Sequence, residues 1–259
     1  MARRGVIVRA AILAGNAVGA LALFWPFVLG GLLDTTDVSR LLPYAWSAVV
    51  LVTVVLLVRT MLGSDRDIRQ LAMLAALTAL ASAVRPLGAG VAGLEPIWAV
   101  ILLGGRALGP QLGYLLGALS MFTSALFTGG VGPWLPYQML VAAWIGALPG
   151  IWPHLRGRSE TVLMSALGAV SGIAIGALLN LWFWPLAIGL DPTIAFIPGA
   201  PSLENVANWL RYGTLTSAGF DIPRAALLAV LLALMSTSVL SIIRRATRRA
   251  SFEPVLAQQ

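Results

Sequence analysis

The sequence has no cysteine, no lysine and a single histidine, and only 10% of its residues are charged. A chain without cysteine forms no disulfide and has no thiolate for catalysis. His154 has no second histidine to join it, which argues against a metal site. No P-loop pattern is present, so we do not expect the chain to hydrolyse ATP by that route.

Apolar residues make up 59% of the 259 residues, too many for a soluble domain to bury. The first apolar run follows a basic segment, as in a signal peptide, but it exceeds the usual length of about 7–15 residues, so we expect a retained span. The fourth run is short, turns into the fifth at Gly109–Pro110, and need not cross fully. The sequence predicts an all-α polytopic membrane protein with about eight transmembrane helices, at residues 6–33, 42–62, 67–85, 95–108, 110–128, 134–153, 160–187 and 223–244.

All seventeen basic residues are arginines, and their distribution predicts the orientation. With the N-terminus in the cytoplasm, four of them (Arg40, Arg85, Arg211 and Arg224) lie on the outer side and the other thirteen on the inner side. This bias follows the positive-inside rule, and it accounts for the net charge of +7 without a nucleic-acid partner. We expect a multi-pass protein of the cell membrane, in contact with lipid, with both termini cytoplasmic.

Polar and aromatic side chains near the apolar runs gather at the outer side. Tryptophan and tyrosine at this level are typical of the interfacial aromatic belt. Asn180 and Gln138 are harder to explain in that way, because a buried amide needs hydrogen-bond partners. Together these groups predict an outward-facing pocket with apolar walls and a few polar groups: Glu95, Trp134, Tyr137, Gln138, Asn180, Trp182, Trp184, Asn208 and Trp209.

Small residues recur at helical spacing in several spans. Two glycine ladders, Gly109–Gly113–Gly117 and Gly168–Gly172–Gly176, predict close packing between helices. The third span instead has an alanine stripe on one face. Such a stripe either packs inside the bundle or receives a helix of another protein, and the sequence leaves both readings open. Its members are Ala72, Ala75, Ala76, Ala79 and Ala83.

A long segment at 189–223, here called the outer loop, separates the last two spans. Loops of this length are usually functional or disordered, and this one is too apolar for simple disorder. We expect it to pack back on the outer face as a lid. Its stretch "SLENVANWLRYG" predicts a short helix with Ser202 as the N-cap.

No residues form a recognisable catalytic set. The spans hold almost no charged residues, which argues against an ion-driven pump or a proton relay. Glu95 with Arg85 is the best pair available to a membrane enzyme acting on a lipid or small molecule. We expect that the chain is not an enzyme, while that enzyme and a ligand-free membrane assembly protein remain the alternatives.

The middle of the chain resembles a known family. Three features carry the resemblance: the turn and helix "GRALGPQLGYLLGALS", the segment "GGVGPWLPYQML" at 129–140, and the helix end "GALPG". Together they resemble the substrate-binding S component of energy-coupling factor (ECF) vitamin transporters. The resemblance implies a six-helix core at about 66–250 with the outer loop, preceded by two extra helices at 1–65 and followed by a cytoplasmic tail at 251–259.

The resemblance also implies a mechanism. An S component binds a vitamin or its precursor at the outer side and docks on a transmembrane coupling subunit. Two ATPase subunits drive that coupling subunit, so ATP is hydrolysed only by the partners and the chain itself needs no cofactor. The S component is thought to topple in the membrane and release its cargo inside.

Particular residues match the family's motifs. Docking uses an Ala-x-x-x-Ala motif on the first core helix, which corresponds here to Ala72–Ala76 and Ala75–Ala79. The vitamin site would be lined by the "GGVGPWLPYQML" segment with Trp134, Tyr137 and Gln138, and by Glu95 and Trp98 at the same level. The subset most resembled is assigned to cobalamin or related corrinoids, while thiamine precursors, riboflavin, biotin and queuosine precursors stay open.

Overall fold

The structure is a computed structural model, and it describes residues 2–32, 36–62, 68–88, 93–153 and 155–249. His154 and the predicted tail at 251–259 lie outside the described residues. Within the described ranges the chain forms nine α-helices and no strand, which confirms the predicted all-α class. The helices are α1 (Ala2–Val28), α2 (Thr36–Leu62), α3 (Ile68–Val84), α4 (Ile97–Leu108), α5 (Pro110–Thr128), α6 (Leu135–Ile151), α7 (Arg158–Phe183), α8 (Ser202–Tyr212) and α9 (Ala218–Arg249).

Eight of these helices correspond to the eight predicted runs, and α8 is the predicted short helix. Within the described residues, five segments are long and apolar enough to cross a membrane, and α4 and α6 are shorter apolar helices. The 12 residues of α4 rise only about 18 Å, against about 30 Å for a hydrocarbon core. The fourth run is therefore too short to span alone. The five segments are Ala10–Val28, Leu41–Leu62, Ile68–Gly88, Arg158–Leu186 and Ser202–Ala246.

Several helix ends differ from the predicted runs by a few residues, and two differences concern the outer end. Helix α9 begins at Ala218 rather than at 223, directly after a π-helical turn (Gly213–Ser217). In the sequence, the charge of Asp221 placed this residue before the last apolar run. In the structure Asp221 belongs to α9, and its carboxylate is paired with Arg224 of the same helix. Ser202 is wrong as the N-cap: Pro201 occupies that position, with no side-chain cap bond.

Glycines of both ladders allow close helix contacts in the core, as predicted, except for Gly109, which lies in the turn before α5 and has no neighbouring atom within 4 Å of an added Cβ. The Gly113 and Gly117 positions of α5 face backbone carbonyls of α6, at Gly146 and Ala142, so a side chain at either would overlap the neighbouring helix. The second ladder on α7 faces α9 in the same way. Because glycine has no side chain, the backbones of the paired helices come into direct contact, as is typical of close helix association in lipid.

The alanine stripe of α3 is on the outside of the described chain. Ala72, Ala75, Ala76, Ala79 and Ala83 are all exposed, whereas the buried residues of this helix are Leu74, Leu77, Thr78, Ala81 and Ser82. The stripe therefore does not pack inside this bundle. Of the two readings left open by the sequence, the described contacts exclude internal packing.

The α1–α2 hairpin packs against the core mainly through α6. Gly19 of α1 lies against Leu140 of α6. Tyr137 brings its hydroxyl to 3.4 Å from the carbonyl oxygen of Ala22 and 3.3 Å from that of Pro43. The Ala22 carbonyl lacks its usual helical donor, because the residue four positions later is Pro26, which has no N–H. The Tyr137 hydroxyl therefore supplies the hydrogen-bond donor that Pro26 lacks.

At the end of the bundle predicted to face the cytoplasm, a buried ion pair joins four helices. Arg106 and Glu160 are both 4% exposed. The Arg106 guanidinium donates to both carboxylate oxygens of Glu160, each at 2.9 Å, and Arg244 donates to the same carboxylate at 2.8 Å. We call Arg106, Glu160 and Arg244 the inner ion cluster. Arg106 also donates to three carbonyls at the end of α6, those of Pro149, Trp152 and Pro153.

Candidate functional site

The opposite end of the bundle, here the outer end, carries residues 85–97, 129–138 and the outer loop. Arg85 follows α3 in a 3₁₀ turn (Arg85–Gly88). Its guanidinium donates to the Ser124 hydroxyl of α5 at 2.7 Å and to the side-chain oxygen of Gln138, on the first turn of α6, at 3.4 Å. Arg85 therefore ties three core helices together at the level where the sequence predicts the site.

A second polar group lies beside the first. The Glu95 carboxylate, just before α4, accepts a hydrogen bond from the Trp98 indole at 2.7 Å and one from Arg224 of α9 at 3.3 Å. Arg224 also donates to Asp221 at 2.7 Å and to the Gly172 carbonyl at 3.3 Å. We call Arg85, Glu95, Asp221 and Arg224 the outer polar cluster.

The charges of this cluster balance, two cations against two anions. Asp221 and Arg224 are only 7% and 9% exposed, so each charge depends on the other for compensation. Gly176 of α7 makes room for the Asp221 carboxylate, because a Cβ at that position would overlap its oxygens. The Glu95 side chain is 33% exposed, against 11% for the side chains of Asp221 and Arg224. Of these three linked residues, Glu95 is therefore the most open to a ligand.

A cavity of about 270 Å³, here the outer cavity, opens between α7, α8 and α9. Asn180 of α7 lines it and donates to the Ser217 hydroxyl at 2.5 Å. Trp209 of α8 forms another part of its wall, and its buried indole N–H has no hydrogen-bond partner among the described residues. Asp221 also lines the cavity, so the outer polar cluster reaches it. The cavity thus offers an amide, a carboxylate and aromatic surface within apolar walls.

The rings of the "GGVGPWLPYQML" segment pack on α7. Trp134 meets Trp182 edge to face at a centroid distance of 5.9 Å, and Tyr137 lies tilted against the same ring at 6.5 Å. Tyr137 is buried and its hydroxyl is engaged with the α1–α2 hairpin, while Trp134 is only partly buried. Of these two predicted site residues, Trp134 has the more accessible ring.

Trp184, in the 3₁₀ turn after α7 (Trp184–Leu186), and Asn208 of α8 both donate hydrogen bonds to carbonyls of the outer loop. The Trp184 indole donates to the Ile194 carbonyl at 2.7 Å, and the Asn208 amide donates to the carbonyls of Pro192 and Ala195, each at 3.0 Å. Both side chains are buried. Their polar groups are satisfied by the loop, which indicates a structural use.

A further turn in the outer loop is fixed by an aspartate. Asp191 accepts hydrogen bonds from the Thr193 hydroxyl at 2.6 Å and from the Thr193 backbone N–H at 2.9 Å. These two bonds lower the pKa of the Asp191 carboxyl, the hydroxyl contributing most. The carboxylate therefore stays charged and keeps the turn closed at neutral pH.

The predicted site residues all lie at the outer end but in separate groups. Glu95, Trp98 and Gln138 belong to or contact the polar groups there, and Asn180 and Trp209 line the outer cavity. Sequence reasoning gave no role to Ser124 or Asp221, and it used Arg224 only for orientation. Asp221 and Arg224 stand three residues apart beside an apolar run, which is a signal for a paired charge at a functional place.

Neither a metal centre nor the suggested catalytic pair is formed by the described residues. No group of three His, Cys, Asp or Glu side chains comes together there in a way that holds a metal ion. Glu95 binds Trp98 and Arg224, while Arg85 binds Ser124 and Gln138. Glu95 and Arg85, the pair considered for an enzyme, thus lie in the same cluster but are bonded to different partners.

Comparisons with known proteins give the family. Neither the curated proteins nor the solved structures yielded a match. The family model of the ECF transporter substrate-specific component matches residues 66–243, well over half of the chain. The matched segment takes in α3 to α8 and most of α9, with both polar groups of the outer end, and it leaves out α1 and α2. This multi-pass membrane protein belongs to the ECF transporter substrate-specific component family.

Proposed function

We propose that the chain is the S subunit of an ECF-type importer and binds a vitamin or vitamin precursor at its outer end. A coupling subunit and ATPase subunits then drive delivery to the inner side. The observation that carries the proposal is the outer polar cluster. In a bundle with few ionisable groups, four of them meet at one end of the core beside a cavity. Ionisable groups inside a membrane bundle are costly and mark functional places.

The residues of this end have distinct proposed roles. Glu95, held by Trp98 and Arg224, presents a partly exposed carboxylate oxygen to polar groups of the ligand. Gln138 and Asn180 present amides, which recognise carbonyl and N–H edges. Trp134 and Trp209 offer ring surface on which a flat ligand stacks. Apolar walls with a few fixed polar groups are typical of small-molecule sites.

A corrinoid is the first candidate, because the sequence most resembles the cobalamin subset and because the outer loop is long. A corrinoid is several times larger than the 270 Å³ outer cavity. It therefore binds only if the outer loop moves outward, whereas a ligand of the size of thiamine or biotin needs less movement.

Purification tests the ligand assignment directly. The full chain, purified in mild detergent, is examined by visible absorption and then denatured, and the released small molecules are identified by mass spectrometry. A vitamin at near one-to-one occupancy, or tight binding from an added panel of cyanocobalamin, riboflavin, thiamine and biotin, supports the proposal. An empty chain that binds none of them contradicts it.

A matched pair of variants tests the site. Glu95→Gln removes a charge within the outer polar cluster, and we expect a loss of affinity of roughly tenfold or more, as for a charged hydrogen bond. Glu204→Gln makes the same chemical change on the exposed face of α8, and binding should be unaffected. Equal affinities for the two variants would remove Glu95 from the site.

The exposed alanine stripe is the proposed docking face for the coupling subunit. Small side chains let a partner helix approach closely in lipid. Ala76→Trp places a large ring in the middle of the stripe, and we expect unchanged vitamin binding but loss of uptake in cells that carry the ECF module. Ala233→Trp is the control, because this alanine is exposed near the middle of α9. Normal uptake by Ala76→Trp would refute the docking assignment.

A further inference from the structure

Of the two helices outside the family match, α1 is in direct contact with the outer loop. Trp25 of α1 meets Phe196 of the outer loop edge to face at 5.3 Å. Phe27 of α1 meets Trp209 of α8 edge to face at 5.6 Å and lies 6.0 Å from Trp184. The ring centroids of Trp184 and Phe196 lie 5.5 Å apart. We call these five residues the ring cluster.

Backbone contacts reinforce the ring cluster. The Gly199 N–H of the outer loop donates to the Gly30 carbonyl at 2.8 Å, just beyond the end of α1. A Cβ at Gly30 would lie 3.0 Å from the Phe196 ring, and one at Gly31 would lie 3.2 Å from the Ala200 carbonyl. The chain after α1 therefore approaches the outer loop as closely as a residue without a side chain allows.

The outer loop has its own internal bonds, and it is held on the bundle by contacts with α1 as well as by bonds from Asn180 and Trp184. Asn205 and Asn208 fold the segment 192–197 onto α8. Those bonds join the loop only to itself. The ring cluster and the Gly199–Gly30 bond instead join it to a different part of the chain.

Phe27 connects this contact to the proposed site. The ring of Trp209 packs against Phe27, and Trp209 also forms part of the wall of the outer cavity. Leu210, Gly213 and Thr214 of the outer loop line the same cavity. A displacement of the loop relative to α1 would therefore move Trp209 and change the shape of the cavity.

We infer that the N-terminal hairpin is a positioning element for the substrate site, with Phe27 and Trp25 holding the outer loop and the Trp209 wall in the closed position. This inference rests on the proposed function for its effect on the ligand. The effect of the hairpin on the position of the loop does not depend on which ligand binds. It gives a role to residues that the family match does not include.

The loop position can be measured without any ligand. The chain has no cysteine, so two added cysteines are the only sites for spin labels. Leu203→Cys on α8 and Phe127→Cys at the end of α5 are both highly exposed, and the distance between their labels reports loop displacement. In the full chain we expect one narrow distance distribution for the otherwise unchanged protein.

Phe27→Leu keeps an apolar side chain but removes the ring contacts with Trp184 and Trp209, and we expect the population of longer distances to rise by roughly tenfold. Tyr44→Leu is the control: this ring is also in the hairpin at the outer end, but it contacts Trp182 of α7 instead of the loop. The control distribution should match that of the unchanged protein. An unchanged distribution in Phe27→Leu overturns the inference. If Phe27→Leu does not fold, Phe196→Leu breaks the same cluster from the loop side and decides the matter.

Ligand kinetics give the second measurement. With whichever of cyanocobalamin, riboflavin, thiamine or biotin binds, Phe27→Leu should dissociate roughly tenfold faster, and Tyr44→Leu within about twofold of the unchanged rate. Equal dissociation rates for the two variants at equal thermal stability overturn the positioning role. If no member of the panel binds the unchanged chain, the proposed function fails, while the distance measurement still decides whether α1 holds the loop.

Discussion

Replacing Glu160 by glutamine removes one negative charge from the inner ion cluster and changes the side-chain volume very little. In the native chain the Glu160 carboxylate accepts two hydrogen bonds from Arg106 and one from Arg244. A glutamine keeps one acceptor oxygen, but it turns an N–H₂ group toward guanidinium donors. The Arg106 guanidinium, with 1% of its side chain exposed, then remains buried without its counter-charge.

The expected cost follows from that burial. Breaking a buried ion pair by removing one partner typically costs about 3–5 kcal/mol. Arg106 keeps its bonds to the three carbonyls at the end of α6, which places Glu160→Gln near the lower value, at about 3 kcal/mol. For a chain of this size that corresponds to a fall in the midpoint of thermal unfolding of roughly 6–12 °C.

Thermal unfolding in detergent, followed by the fluorescence of the nine tryptophans, measures this effect. Glu204→Gln is the matched control, because its side chain is exposed on α8, and it should change stability by less than about 0.5 kcal/mol. Arg244→Gln should lie between them, since the Arg244 side chain is 28% exposed. If Glu160→Gln lowered the midpoint no more than Glu204→Gln, the inner ion cluster would not stabilise the fold.

Two further substitutions test the packing of the core. Tyr137→Phe should cost about 1–2 kcal/mol in thermal unfolding, because the Ala22 carbonyl then has no donor; an unchanged midpoint would show that the hydroxyl is not needed there. Gly176→Ala places a methyl group on the Asp221 carboxylate and should cost about 1–3 kcal/mol. Gly219→Ala is its control, since a Cβ there meets no neighbouring atom, and stability should stay the same or rise; a similar loss in both variants would contradict the overlap argument.

The sequence predicted the helices well because lipid leaves the backbone little choice. An apolar run in the bilayer must satisfy its hydrogen bonds internally, so α-helix is the natural outcome and its length can be read from the run. The glycine ladders were equally predictable, because small residues at a spacing of four have few uses in lipid other than close helix contact. Both Gly113 and Gly172 lie against neighbouring backbone as expected.

The exposed or buried state of individual arginines could not be predicted from the sequence. Arg59 and Arg106 both stand near the inner end of a span, yet Arg59 is exposed and Arg106 is buried against Glu160. The partners of Arg106 are 43 to 54 residues away in the chain, and Glu95 and Arg224 are 129 residues apart. Such pairs depend on which helices are neighbours and on the rotation of each helix about its axis. Hydrophobic periodicity determines neither of these.

The same limit applies to the candidate site. Hydropathy indicated the end of the span at which each residue lies, and the predicted residues do lie at one end of the bundle. It did not separate Trp184 and Asn208, whose polar groups are bonded to the loop, from Asn180 and Trp209, which line the outer cavity. Distinguishing these uses requires the hydrogen-bond partners.

The arrangement of charges bears on the proposed transport cycle. If the S component tilts in the membrane, any lone charge on its flank would have to enter hydrocarbon, at a cost of several kcal/mol. The most buried charges of the described chain instead occur in pairs inside the bundle, as Arg106 with Glu160 and Arg224 with Asp221. The exposed face of α3 carries alanines and no charged side chain among them, so a partner helix can replace lipid there without desolvating a charge. Charges paired within the core and a small, apolar face at the proposed docking site would thus lower the same barrier, the free energy of moving the whole bundle relative to the lipid.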